Sequence, residues 1–255
     1  MSGVFDAYAS YYDLFYRDKD YASEAAYVAE RIRHFAPLAQ SVLELGCGTG
    51  AHAEHLAREG FRITGLDISE SMLAQAQERK AKLPADLAAR LDFSRCDIRD
   101  ARLGVEYDAA ISLFHVMSYQ TTTADLRAVF ATAAAHLPSG GLFLFDGWYG
   151  PAVLASPPEV RVRRLEDAQA RITRIAEPTM RDCNVVDVAY TVFVEEKRTG
   201  TIREFHETHS MRALFLPELA ALAADHFSIQ ASHAWATLDD PGPENWAAFL
   251  IMKKR

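Results

Sequence analysis

A chain of 255 residues, 49% hydrophobic and 24% charged, can bury a core without staples. That balance excludes a disordered chain and suits one large domain, or one domain carrying a subdomain. The net charge of −8 repels phosphate backbones and excludes a nucleic-acid partner unless a local basic patch exists. The densest basic stretch, Arg161, Arg163 and Arg164 followed by Arg171 and Arg174, alternates along predicted strands and reads as a solvated sheet face. Cys47, Cys96 and Cys183 are widely spaced and odd in number. They give neither a disulfide framework nor zinc spacing, and no metal is expected.

The opening MSGVFDAYASYYDLFY carries acids early and has no basic flank, which argues against a signal peptide. No apolar run reaches the roughly 18 residues of a membrane helix. The expected setting is cytoplasmic, with no membrane partner. Residues 5–16 form an aromatic, partly helical lead (Phe5, Tyr8, Tyr11, Tyr12, Phe15, Tyr16), and residues 20–35 an amphipathic helix ended by Pro37. From Ser41 short apolar runs alternate with helical patterns: SVLEL, RITGLD, LDFSRCD, YDAAISLF and GLFLFDGW read as strands. AHAEHLAREG, SESMLAQAQERKAKL (capped by Ser69 or Ser71) and ADLRAVFATAAAHL read as the helices between them. This alternation predicts an α/β fold, a Rossmann-like parallel sheet with helices on both faces.

After Trp148 the period changes to two. PEVRVRRLED, ARITRIAEP, NVVDVAYTVFVEEK and TIREFHETHSMRALF predict an antiparallel sheet of about four strands, inserted after strand five. A short helix from Pro217 and two strands near FSIQASHAW and NWAAFLIMKK follow. The expected organisation is a lead and ligand-binding core over 1–150, the inserted sheet over 151–216, and a helix and strands completing the core sheet over 217–255. The insert is expected to cover an acceptor pocket or form a homodimer contact, a homodimer being the expected assembly.

The most informative segment is Glu44-Leu-Gly46-Cys47-Gly48-Thr-Gly50, directly after a strand and opening a helix. Glycines there let the backbone turn tightly and a ligand approach closely. Gly46, Gly48 and Ala51 also satisfy a dinucleotide pattern, with Asp67 about 20 residues on, so the glycines alone leave two ligands open. Three features favour S-adenosyl-L-methionine. Glu44 repels a pyrophosphate but attracts a sulfonium and an α-ammonium. Asp97, in Cys96-Asp97-Ile98, ends the third strand as an acceptor for an adenine amino group. About 40 residues precede the first strand, and the sheet closes on a hairpin.

With ELGCGTG, ITGLDIS, CDI, YDAAISL and PSGGLFLFD, the chain resembles class I S-adenosylmethionine-dependent methyltransferases over residues 41–147. The resemblance implies that Gly46, Cys47, Gly48 and Gly50 line the methionine part of the cofactor. It implies that Asp67 binds the ribose diol, that Ile68 and Met72 pack on the adenine with Asp97 and Ile98 flanking it, and that Leu113 and Phe114 lie behind the sulfonium. The YDLFYRDKDY lead, the inserted sheet and FDGWY are similar to N-methyltransferases of nucleotide-linked amino sugars and to methyltransferases of surface-saccharide pathways. This likeness implies that Tyr12, Tyr16 or Tyr21 caps the methionine end and that the acceptor is a small molecule, a nucleotide-sugar. SLFHVMSY departs from the amino-sugar enzymes.

An amine acceptor has only to shed a proton, whereas a hydroxyl needs a base. His115, after strand four, is the expected base, beside Tyr12 and Tyr119 as donors or acceptors. Trp148, Tyr149, His209 and Arg212 are the substrate candidates; at period two His206 faces away from the side that His209 shares with Met211. Asp146 lacks a second acid that would make it a metal ligand. The expected activity is N-methylation of a nucleotide-linked or glycan sugar. O-methylation, or a non-catalytic S-adenosylmethionine-binding subunit, stand as alternatives.

Overall fold

Five strands set the frame: β1 (Ser41–Leu45), β2 (Arg62–Asp67), β3 (Leu91–Arg95), β4 (Ala109–Ser112) and β5 (Leu142–Trp148). The computed structural model describes residues 12–182 and 184–255, so Phe5, Tyr8 and Tyr11 of the lead, and Cys183, lie outside the described residues. The five strands pair in parallel, and β11 (Ala247–Lys254) and β10 (Phe227–Ala234) add antiparallel beyond β5. The sheet order is β10-β11-β5-β4-β1-β2-β3.

Strand alternation divides the core into two layers. Val42, Ile111, Leu144 and Ile251 face α1 (Tyr21–Phe35), α2 (Ala51–Arg58) and α3 (Glu70–Ala81) through Val28, Ile32, Leu56 and Leu73. Leu43, Ala110, Phe143 and Leu250 face α5 (Thr123–Ala135) and α7 (Leu216–Ala223) through Leu126, Phe130 and Leu219. Phe130, Phe143, Phe145 and Phe227 are fully buried and stack on one another; burying each side chain contributes about 1.5–3 kcal/mol.

Helix starts follow side-chain caps. Asp20 accepts from Ser23 N at 2.9 Å and Thr122 from Asp125 N at 3.0 Å. Ser69, rather than Ser71, caps α3 by accepting from Met72 N. Three short elements escaped the periodicity because none completes two turns of helix: α4 (Ala85–Ala88), α6 (Gly150–Ala155), and a 3-10 turn over Val116–Tyr119.

The four-stranded meander β6 (Arg161–Glu166), β7 (Ala170–Asp182), β8 (Val185–Glu196) and β9 (Thr201–Arg212) forms a second sheet. β7 runs past Pro178, where the sequence pattern ends. Pairing with β6 stops at Ala176, so β7 is an edge strand there and the missing proline donor costs no ladder bond. One face of this sheet packs Leu165, Ile172, Val192 and Val194 on Phe15, with Tyr12 and Tyr16 against the same cluster. Val186 and Val188 pack with Val153, Trp148 and Trp246. Leu214 then rejoins the core through a bridge to Tyr149. The insert thus stands over the lead and the carboxyl end of β5. Among the described residues no helix is long and apolar enough to cross a membrane.

Candidate active site

The carboxyl ends of β1, β2, β4 and β5 form one edge, where ligands of open α/β sheets bind. There the glycine segment folds onto β2: the N–H groups of Gly46 and Cys47 both donate to Leu66 O, at 2.8 and 2.9 Å. Gly46 has φ +79°, and a Cβ on it would strike Val116 at 2.5 Å, so the loop and the 3-10 turn touch backbone to side chain. Gly48 (φ +53°) is the opposite case: a Cβ there meets nothing within 4 Å, which leaves open space against the loop.

Two carboxyls flank this space. Asp67 accepts from Gly48 N and Ser69 N, both at 2.9 Å, while burial raises its pKa. Each oxygen keeps a lone pair for another donor. Glu44 is 1% exposed, and its Oε2 has no hydrogen-bond partner among the described residues. Burial, and then the charge of Asp67, push Glu44 up to about 8. Glu44 therefore favours its protonated form near neutral pH, where an exposed glutamate is charged. An orphaned carboxyl oxygen beside an open glycine loop fits a ligand bearing ammonium and sulfonium groups.

The side walls are apolar. Met72, Ile98 and Leu113 are buried, and Ile68 is 43% exposed at the rim. The Asp97 carboxylate is engaged by Arg99, whose guanidinium also reaches Asp125 at 3.0 Å; the Arg99 hydrogen bonds hold Asp97 below the usual carboxylate range.

The lead closes the other side. Phe114 receives Tyr16 edge-on at 4.9 Å and Tyr12 at 6.4 Å, and the Lys19 ammonium sits 4.5 Å above its ring. Tyr21 packs edge-on against His52, and its buried hydroxyl, raised by burial, has no hydrogen-bond partner among the described residues. Residues outside the sequence reading fasten the lead. Asp13 accepts from Thr49 Oγ1 at 2.8 Å and from Arg79 at 2.6 Å. Although burial acts to raise Glu24, hydrogen bonds from His52 and Lys19 hold it low. Spacing along the chain carries no signal for such contacts between distant segments.

Beyond β4, Phe114 and His115 both have left-handed backbones, φ 63° and 65°. His115 N donates to Asp146 Oδ1 at 3.1 Å and Oδ2 at 3.2 Å, and His115 Nδ1 lies 2.7 Å from Oδ2. In the next turn the Tyr119 hydroxyl pairs with His209 Nδ1 at 2.7 Å, and His209 Nε2 with Glu207 at 3.2 Å. Tyr190 stacks edge-on against His209 at 4.9 Å. His209 is buried and His206 exposed on opposite sides of β9, following the period of two. Arg212 binds Thr121 O at 3.3 Å, Thr123 and Glu218, which ties β9 to the loop before α5. Trp148 packs against Trp246 at 5.6 Å, and Tyr149 heads α6. Among the described residues no group of His, Cys, Asp and Glu is arranged to hold a metal ion.

Residues 42–141 match a family described as methyltransferase domain. The chain is 35% identical over 207 residues to a dTDP-3-amino-3,4,6-trideoxy-alpha-D-glucopyranose N,N-dimethyltransferase of Streptomyces venezuelae, covering 79% of this chain and 81% of the relative. Its fold is similar to DesVI of Streptomyces venezuelae, with TM-score 0.79 and 28% identity over 96% of this chain and 97% of that one. It is similar as well to S-adenosylmethionine-bound CalS10, an amino pentose methyltransferase of Micromonospora echinaspora, with TM-score 0.76 and 28% identity over 100% and 99%.

Proposed function

Because this chain belongs to the class I S-adenosylmethionine-dependent methyltransferases, we propose that it transfers methyl to the amino group of a nucleotide-linked sugar. One observation carries the reading: the likeness to CalS10, an amino pentose methyltransferase, runs through 100% of this chain, so it takes in the inserted sheet as well as the cofactor half. That sheet brings His209, with Tyr190 packed on it, against Tyr119, beside the corner where Phe114 and His115 follow β4. A nucleotide-linked acceptor also supports action in the cytoplasm.

The cofactor supplies a methyl made electrophilic by its sulfonium. Glu44 faces the cationic end, with Gly46, Cys47, Gly48 and Gly50 along the methionine part. Asp67 would hold the ribose diol. Ile68 and Met72 would pack on the adenine, with Asp97 and Ile98 flanking it. Leu113 and Phe114 would lie behind the sulfonium, and Tyr12, Tyr16 or Tyr21 would cap the methionine end and exclude water. His115, Tyr119, Trp148, Tyr149 and His209 bound the acceptor. Arg212 acts through the loop it holds. A homodimer through the inserted sheet is supported by Val162, Met180 and Ile202, which stand 47%, 41% and 64% exposed on it.

A hydroxyl acceptor is the second reading, favoured by the acid behind His115, since a hydroxyl needs a base. The test offers S-adenosylmethionine with a dTDP-amino sugar and with its hydroxyl counterpart, and locates the new methyl by mass spectrometry and NMR. N-methylation of the amino sugar is expected. Methylation of the hydroxyl sugar alone would overturn the proposal.

A further inference from the structure

Two consecutive residues with side chains, Phe114 and His115, hold φ values of 63° and 65° at the end of β4. Ordinary side chains avoid that region, and such backbone persists where its surroundings over-determine it. Here the determinant is Asp146, 1% exposed on β5 between β4 and β11. Among the described residues, the hydrogen bonds and ion pair of its carboxylate all come from His115: the backbone N–H on both oxygens, and Nδ1 at 2.7 Å from Oδ2. At that distance the ring lies off the line of a good hydrogen bond, so the pair is a close polar contact. His115 Nδ1 is itself buried while the side chain is 25% exposed, so the exposed part of the ring is the edge away from Asp146, which carries Nε2. Packed about the same corner are Tyr12, Tyr16 and Lys19 around Phe114, and Tyr119 in the following turn.

We infer that Asp146 is a positioning residue for methyl transfer: it orients the His115 ring and keeps its proton on Nδ1, so that Nε2 takes the proton of the acceptor. The inference rests on the amine reading proposed above. A sugar amine at neutral pH is mostly ammonium and has no lone pair to offer. One N–H bond of the ammonium breaks, its electron pair stays on nitrogen, and the proton passes to His115 Nε2. The imidazolium so formed is stabilised by the Asp146 carboxylate, as a buried acid stabilises the histidine of a serine-protease triad. The freed lone pair then bonds to the methyl carbon as the methyl–sulfur bond breaks and its pair goes to sulfur. His115 returns its proton to water before the next round. Asp146 touches neither reactant and acts through the imidazole alone.

The test begins without acceptor. Nitrogen-15 NMR of labelled histidines, recorded as a function of pH, should show the neutral form of His115 with a protonated Nδ1 and a bare Nε2. Asp146→Asn, whose amide can donate to Nδ1, should shift the proton toward Nε2. Turnover of Asp146→Asn should fall by roughly a hundredfold or more near pH 7. Part of the loss should return near pH 9, where the substrate amine deprotonates unaided, with KM little changed. His115→Gln should reproduce that recovery and serves if Asp146→Asn does not fold. Overturning results are a wild-type His115 protonated on Nε2, wild-type turnover by Asp146→Asn near pH 7, or a loss that is the same at every pH. If no amine is methylated, the proposed acceptor fails, while the NMR measurement still decides whether Asp146 sets the tautomer.

Discussion

Glu44→Gln isolates the electrostatics of the cofactor edge. Burial and the neighbouring Asp67 move the Glu44 carboxyl from an ordinary value near 4.5 to about 8 in the folded chain. The folded state thus binds this proton more tightly than the unfolded state. The resulting stability is fully present below pH 4.5 and is lost as pH rises through about 8. Integrated between pH 5 and pH 8, the loss is about 3.5 kcal/mol, which for a chain of this size is roughly 10 °C in Tm. Gln cannot ionise and keeps nearly the same shape. The difference in Tm between Glu44→Gln and the wild type should therefore grow in favour of the variant across that range, whatever the amide gains or loses at pH 5. Titrations of groups distant from Glu44 cancel in the comparison. The same coupling predicts that S-adenosylmethionine or S-adenosylhomocysteine displaces the proton near pH 7. Calorimetry in buffers of different ionisation enthalpy should register its release for the wild type and none for Glu44→Gln. A pH-independent difference in Tm, or binding without proton release, would refute the reasoning.

S-adenosylhomocysteine at about 100 times its Kd should stabilise the fold by roughly 2.7 kcal/mol in thermal melts, and NADH should not; the reverse result would reassign the glycine loop. Asp67→Ala should weaken that ligand by tenfold or more, because a charge-assisted hydrogen bond is worth about 1.5–3 kcal/mol; unchanged affinity by calorimetry would remove Asp67 from the ribose. Phe15→Ala, at a fully buried site between the lead and the inserted sheet, should lower stability by about 3–5 kcal/mol in denaturant melts. A change below 1 kcal/mol would mean that the two surfaces hold together without it.

The frame was legible wherever a periodic run met a specific cap or turn. Val42 and Leu43, or Leu144 and Phe145, announce two-sided burial, and the glycine segment sits where a ligand edge must form. The corner that aims His115 was not legible. Neither Phe nor His marks a left-handed turn as glycine does, so nothing in SLFHVMSY announces two positive φ values in succession. Asp146 reads as a solitary acid until β4 and β5 are paired, which brings His115 onto it. Likewise Asp13 and Thr49, or Tyr119 and His209, are far apart in sequence and meet only through packing. Glu44 was found by position, but its protonation depends on how completely the fold removes water from it.

The placement of β11 has a consequence for how the chain assembles. β5 ends at Trp148, yet its sheet partner begins only at Ala247, so pairing them closes a loop of roughly a hundred residues. The meander β6 to β9 lies inside that loop and consists of successive hairpins, the contacts a chain makes fastest. Once it forms, Leu214 is delivered to Trp148 and Tyr149, and the stretch left to close shrinks to about a third, easing closure by about 1 kcal/mol. The insertion is then a folding shortcut as well as a wall. Substitutions in its hairpins should slow refolding even where they leave the mature site untouched.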